Sequence, residues 1–260
     1  MTNQSLTIVS WNINGIRAAE KKGFLTWLHS TRPDIVALQE TRAAQEQVSS
    51  ALQQPSDYHT DWCAAERKGY SGVATFSRVP PLTVSRGLDD PRFDRDGRVL
   101  VSVFSEFVFF NIYFPNGGRG PEWVAHKLDF YVRFLEVVGE VRAAGKEVIV
   151  AGDVNTAFAE IDLARPRENV RTSGFMPEER AGMEAFFRAG LVDTFRSVRP
   201  QEVKYSWWSM QSGARERNVG WRLDYIFVSP NLRERIIDAD IHCEITGSDH
   251  CPVSLTLAMS

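Results

Sequence analysis

Short runs of Val, Ile, Leu and aromatic residues recur along this chain, and several of them stop on Asp, Asn, Glu or His. The runs cover 6–11, 34–39, 72–77, 98–104, 107–113, 147–152, 223–229 and 252–257. Many are β-branched and almost continuously hydrophobic, which reads as strands of sheets covered on their outer faces. Five polar segments lie at the ends of such runs. They are Trp11-Asn12-Ile13-Asn14-Gly15, Leu38-Gln39-Glu40-Thr41, Gly152-Asp153-Val154-Asn155, Trp221-Arg222-Leu223-Asp224-Tyr225 and Gly247-Ser248-Asp249-His250-Cys251. Polar residues at strand ends are where an α/β scaffold places its chemistry.

Helical spacing separates the runs. Pro121 opens a pattern through Val124, Leu128, Tyr131, Val132, Leu135 and Val138 that stops near Gly145. Pro at the first turn and Gly past the last are start and stop signals. A second pattern follows Pro177, begins on Glu178-Glu179 and runs through Met183, Phe186 and Phe187 to Gly190; a shorter one spans 23–30. No Pro/Gly/Ser-rich linker or repeat divides the chain, so residues 1–260 are expected to form one α/β (α+β) domain. Its expected architecture is mixed sheets packed together with helices outside.

Nothing approaches the roughly 20 apolar residues of a membrane span. The opening residues lack the basic and apolar parts of an export signal, so a cytoplasmic location is expected. Cys63, Cys243 and Cys251 are too few and scattered for a disulfide framework or zinc ribbon. A net charge of −3 neither announces nor excludes a nucleic-acid partner. Arg165, Arg167, Arg171 and Arg180 lie close together, as do Arg215, Arg217 and Arg222, and composition alone reads both groups as solvated loops.

Glu40, Asp153, Asp224 and Asp249 supply hard carboxylate oxygen, with Asn12, Asn14 and Asn155 as neutral hydrogen-bonding groups. That set suits Mg²⁺ or Mn²⁺ better than zinc. Carboxylates with a histidine and no thiolates are what phosphoester hydrolysis requires: charge neutralised at the phosphate, water activated, developing charge stabilised. The uncatalysed reaction is so slow that a site must supply on the order of 20 kcal/mol. Each segment alone has a plainer reading. Glu40 would cap a following helix, Asp153 and Asn155 would form a turn, and His250 would be a satisfied loop histidine. Asp224 inside an apolar run demands a partner, and His250 is the natural one.

Together the segments resemble the exonuclease III family of apurinic/apyrimidinic (AP) endonucleases, within the wider metal-dependent endonuclease/exonuclease/phosphatase group. Three further stretches narrow the resemblance: Tyr113-Phe114-Pro115-Asn116-Gly117-Gly118-Arg119-Gly120, Ser173-Gly174-Phe175-Met176-Pro177-Glu178-Glu179-Arg180 and Asn218-Val219-Gly220-Trp221-Arg222-Leu223-Asp224-Tyr225. The resemblance implies a four-layer αββα sandwich. It implies Mg²⁺, with Mn²⁺ able to substitute, held by Glu40 with Asn14 and Asp249. Asp153 would orient or deprotonate water, and Asn12, Asn155, Tyr113 and His250 would contact the phosphate. Asp224 would hold His250, and a Tyr113 phenolate is the minority alternative for the base.

Trp207, Trp221 and Leu223 resemble an apolar pocket for a base-free sugar. Arg119, Tyr70, Arg17, Asn116 and Asn218 resemble DNA-contacting positions. The implied partner is duplex DNA with abasic sites or blocked 3′ ends, bound by a monomer that is nucleoid-associated if the source is prokaryotic. The alternative is another phosphodiesterase or phosphatase of the wider group. Some relatives carry Asp at the position of Asn14, Phe at that of Trp207 and an apolar wedge at that of Gln211.

Overall fold

In the computed structural model, residues 5–259 are described, so the opening residues 1–4 read above for an export signal lie outside them. Among the described residues the apolar runs pair into two six-stranded sheets. The first holds β1 (Ser5–Asn12), β2 (Ile35–Gln39), β3 (His59–Cys63), β4 (Val73–Ser77), β13 (Ile236–Ile241) and β14 (Val253–Ala258), in the order β13-β14-β1-β2-β4-β3. The second holds β5 (Thr83–Arg86), β6 (Val99–Val103), β7 (Phe107–Tyr113), β8 (Glu147–Asp153), β9 (Val192–Asp193) and β12 (Asp224–Val228), in the order β5-β6-β7-β8-β12-β9. β10 (Trp207–Trp208) and β11 (Gly220–Trp221) form a separate ribbon. The helices are α1 (Ile16–Lys21), α2 (Phe24–Thr31), α3 (Ser50–Gln53), α4 (Pro91–Asp94), α5 (Pro121–Ala143), α6 (Pro177–Arg188) and α7 (Thr194–Val198). None is long and apolar enough to cross a membrane.

Side-chain alternation assigns each strand residue to a layer. Phe107 and Phe109 of β7 point inward, to a core shared with Ile8, Ile35, Ala37, Ile149, Ile226 and Leu255 between the sheets. Val108, Phe110 and Ile112 point the other way, against Phe130, Phe134 and Val138 of α5 and Met183 and Phe186 of α6. On the far side, Val36, Leu38 and Phe76 pack on Ile16 and Ala19 of α1 and Phe24 and Leu28 of α2. The expected four-layer sandwich is therefore present. β3, β5 and β13 were not among the apolar runs, because their outer positions are half or fully exposed and break the hydrophobic pattern.

Strand direction gathers the polar ends. β1 and β2 are parallel, as are β7 and β8, whereas β14 runs antiparallel to β1 and β12 to β8. The ends of β1, β2, β7 and β8 thus share an edge with the starts of β12 and β14. Strand contact is tight beside that edge: a Cβ on Gly152 would lie 1.8 Å from the Ile112 carbonyl oxygen.

Arg222 departs from the solvated-loop reading. It is 1% exposed and bonds both Asp162 (Nε–Oδ1 2.8 Å) and Asp193 (Nη1–Oδ2 2.8 Å). The triad ties the 160–163 turn and β9 to the residue just before Leu223-Asp224. Burial opposes the Asp162 charge, but Arg222 and Arg196 outweigh it and hold that carboxyl below its usual value. A depressed carboxylate contributes stability above its unfolded pKa, and that contribution is lost as pH falls through the folded value. Arg222→Met leaves the buried Asp193 without its cation and Asp162 with Arg196 alone, and is expected to lower unfolding stability by about 3–5 kcal/mol. Urea unfolding at neutral pH measures this, and a change below about 1 kcal/mol would show that the triad is dispensable.

Candidate active site

The shared edge opens on a cavity of about 270 Å³ lined by Glu40, Tyr113, Asp153, Asn155, Asp249 and His250 on one side and Trp207, Trp221 and Leu223 on another. A wider depression of about 470 Å³ lies beside Phe158, Leu191 and Arg196. Its Asp162, Asp193, Arg196 and Arg222 are already paired with one another, so the smaller cavity is the candidate site.

Asp153 and Asp224 are register partners on β8 and β12. His250 joins them, with Nδ1 2.8 Å from Asp224 Oδ2 and Nε2 3.8 Å from Asp153 Oδ2. Ser206, which the sequence reading missed, donates to the same Asp224 oxygen at 2.7 Å and accepts from the Leu223 and Asp224 amides. Burial disfavours a charged His250, but Asp224 and Asp153 outweigh it and raise the imidazole to about 10. The Asp153 carboxyl, buried and beside Asp224, is pushed up to about 7 although His250 and Asn12 oppose the shift.

Asn12 is fully buried, and its amide donates to Glu40 Oε1 (3.0 Å) and Asp153 Oδ2 (2.9 Å). It is not part of the cavity lining, and its bonds align the two carboxylates. Glu40 adopts a left-handed φ of +52°, and no helix follows it directly, so the capping alternative falls. Its oxygens also accept from Tyr113 Oη (2.8 Å) and Arg42 Nη2 (2.5 Å). Burial opposes the Glu40 charge, but Asn12, Arg42 and Tyr113 together depress its pKa. Burial and the Glu40 and Asp153 charges push the Tyr113 phenol well above its ordinary value. Tyr113 donates its hydroxyl to Glu40, and these surroundings favour the phenol over the phenolate.

Asn155, at φ +56°, donates to the Phe114 carbonyl (3.0 Å) and accepts from Asn116 Nδ2 (2.9 Å). Asn116 thus supports Asn155. Asn14 donates to Asp249 Oδ1 at 2.6 Å, and Trp207 Nε1 donates to Asp249 Oδ2 at 3.1 Å. Trp207 and Trp221 pair across the ribbon with ring centroids 6.4 Å apart in a T-shape, and Ala157, Leu163, Phe175 and Leu223 close the apolar wall behind them. Trp208, as strand alternation requires, points into the inter-sheet core.

The remaining expected DNA-facing residues lie outside the cavity. Arg119 stacks over Tyr70 and Trp123, with its guanidinium 5.7 and 4.8 Å from the ring centroids. Tyr70 accepts from Arg98 at 2.8 Å, Arg17 is exposed on α1, and Asn218 accepts from Trp208 Nε1 at 3.2 Å.

Glu40 and Asp249 present carboxylate oxygen to one cavity, with Asn14 reaching it only through Asp249; this all-oxygen set fits a hard divalent cation. Asp153, Asp224 and His250 also offer ligand atoms within 4.8 Å of one another. In that group the His250 Nδ1 is already bonded to Asp224 at 2.8 Å, which leaves Glu40 and Asp249 as the carboxylates facing the open cavity.

A model of the Endonuclease/Exonuclease/phosphatase family, which is metal-dependent, matches residues 9–250. The chain is 43% identical over 254 residues to the exodeoxyribonuclease of Bacillus subtilis (strain 168), covering 97% of this chain and 99% of that protein. It is 38% identical over 258 residues to the DNA repair nuclease APEX1 of Danio rerio, covering 98% and 83%. The crystal structure of AP endonuclease LMAP from Leishmania major superposes with a TM-score of 0.90 at 28% identity, covering 99% of this chain and 89% of that one. Sequence and fold agree along the whole length, and the chain belongs to the Endonuclease/Exonuclease/phosphatase family, within it to the exonuclease III-type AP endonucleases.

Proposed function

We propose that this chain is a Mg²⁺-dependent AP endonuclease that hydrolyses the phosphodiester 5′ to abasic sites in duplex DNA. In this reading residues 1–260 act as one catalytic domain and a monomer, and the same site trims blocked 3′ ends and degrades DNA 3′→5′. The observation that supports it best is the contact between two unlike walls. Trp207, Trp221 and Leu223 form an apolar recess directly beside Asp153, Asn155 and His250. A base-free sugar turned out of the helix suits an apolar recess, and flipping is easiest where pairing is already lost. A phosphatase acting on a polar headgroup has less use for paired indoles, which is why that alternative ranks second.

The chain's own groups divide the work. Asp153, its carboxyl raised above the usual range by burial and the neighbouring Asp224, is a stronger proton acceptor than a free carboxylate, which suits it to take a proton from water. His250, kept protonated by Asp224, would turn its Nε2–H to the charge that develops on the phosphate, and Asn155 and Tyr113 would add neutral donors by exchanging their bonds to the Phe114 carbonyl and Glu40. Glu40 and Asp249, the latter held by Asn14, would hold Mg²⁺ (or Mn²⁺), which neutralises phosphate oxygen as a Lewis acid. Arg119 and Tyr70, with Arg17 further out, suit contacts to the DNA backbone, which position without reading sequence.

The direct test places a duplex with one abasic-site analogue beside an intact duplex, each with Mg²⁺ and with EDTA. A single metal-dependent nick 5′ to the lesion is expected; cutting of both duplexes only from their 3′ ends would remove the abasic specificity. Asp153→Asn should slow cleavage roughly a hundred- to ten-thousandfold while abasic-duplex binding in EDTA is kept. Equal loss of binding and cleavage would remove Asp153 from the role of base. Asp224→Asn withdraws the carboxylate that favours imidazolium, so the His250 titration followed by ¹⁵N NMR should move down from about 10. An unmoved titration would mean that Asp224 does not hold the proton on His250.

A further inference from the structure

Lys127 and Glu179 take no part in the chemistry above, yet both side chains are 0% exposed. Lys127 projects from α5 and donates to Glu179 Oε1 at 2.8 Å and to the Asn155 carbonyl at 2.7 Å. One turn further along the helix, Tyr131 Oη bonds the Val154 carbonyl at 3.0 Å and Thr156 Oγ1 at 2.8 Å. One face of α5 therefore grips two successive carbonyls in the turn that follows Asp153. That turn holds Asn155 in its left-handed conformation, which persists only where the surroundings fix it.

Glu179 makes its other bonds to a different segment. It accepts from Ser173 Oγ (2.9 Å), the Gly174 amide (2.5 Å) and the Met176 amide (3.3 Å). Thr172, Ser173 and Gly174 line the cavity. The fit there is close: Gly174 sits at φ +96°, and a Cβ on it would meet the Asn155 carbonyl oxygen at 3.1 Å and the Trp221 ring at 3.3 Å. The ion pair thus joins the catalytic turn to the cavity wall on which Trp221 rests. Stability alone is a poor reason for it, because a buried pair replaced by uncharged groups of similar volume is often no less stable.

We propose that Lys127 and Glu179 are positioning residues. The ammonium sets Asn155, the carboxylate sets the Ser173–Gly174 wall, and the bond between them fixes one against the other. This inference rests on the cavity being the site of phosphodiester cleavage.

The test compares wild type, Lys127→Met and the double variant Lys127→Met/Glu179→Gln, with kcat and KM measured well below every Tm. The single variant strands a carboxylate and should lower Tm by about 10 °C. The double variant leaves no lone buried charge, so most of that loss should return. Its kcat on abasic duplex should nevertheless stay down about 100-fold, as expected when a reacting group shifts by roughly an ångström. Its preference for abasic over intact duplex should also fall. Recovery of kcat together with Tm would make the pair merely structural and overturn the proposal.

Amide exchange supplies a readout independent of turnover. Protection should fall at Asn155 and Gly174 of the double variant while β1 and β14 stay protected, and unchanged protection at those two amides would also overturn it. A wild type without abasic preference would refute the reading of the cavity, while kcat on whichever phosphodiester it cuts would still test the pair.

Discussion

Two carboxylates directly opposite each other on neighbouring strands repel, and burial makes the repulsion worse. Asp153 and Asp224 occupy that arrangement, and His250 makes it tenable. The imidazolium stands between them, bonded to Asp224 and 3.8 Å from Asp153, and their charges favour its protonated form. The surrounding architecture serves this exchange. β8 and β12 bring the carboxylates side by side, and β14 delivers the histidine from the other sheet. Ser206 occupies a second lone pair of Asp224 and fixes how it faces the ring.

The other strand ends extend the same logic outward. Asn12 bridges Glu40 and Asp153, so the donors of one amide align two acidic groups with different proposed tasks. Asn14, Glu40 and Asn155 all have positive φ without being glycine. Asparagine tolerates that region, whereas glutamate occupies it rarely and needs its side chain held. Asn12, Tyr113 and Arg42 hold it. The indole of Trp207 links the two walls, since one ring both faces Trp221 and donates to Asp249. Shape recognition and charge placement therefore share a side chain, and a change in one is felt by the other.

Much of this was legible before any coordinates. Runs such as 107–113 and 147–152 are central strands covered on both faces, so their hydrophobicity is continuous and their ends are sharp. The edge strands β3, β5 and β13 were not legible, because a half-solvated strand shows no such pattern. In the site, Asp224 and His250 could be paired from the cost of burying a lone carboxylate. Ser206, Lys127 and Glu179 could not be found in that way. A serine beside a tryptophan, or a lysine within a helix otherwise read by its apolar stripe, has no local mark of burial. Arg222 misled for the same reason: its neighbours Arg215 and Arg217 suggest a wet loop, and only Asp162 and Asp193, distant in sequence, account for its burial.

The sequence by itself determined the sheet-forming runs, the two long helices and the acidic, oxygen-rich character of the site, because each depends on residue type and short-range periodicity. Tertiary structure decided which of those groups face the cavity and which stand behind it. Asn12 and Asn14 turn to carboxylates and stand outside the cavity lining, Asn116 lines the cavity while bonding Asn155, and Tyr113 donates its hydroxyl to Glu40. Such outcomes depend on contacts across tens to hundreds of residues, as where the Trp11 indole of the first segment donates to the His250 carbonyl of the last, 239 positions away. Hydrogen bonding and burial act on distance in space, and no local pattern in the chain encodes it.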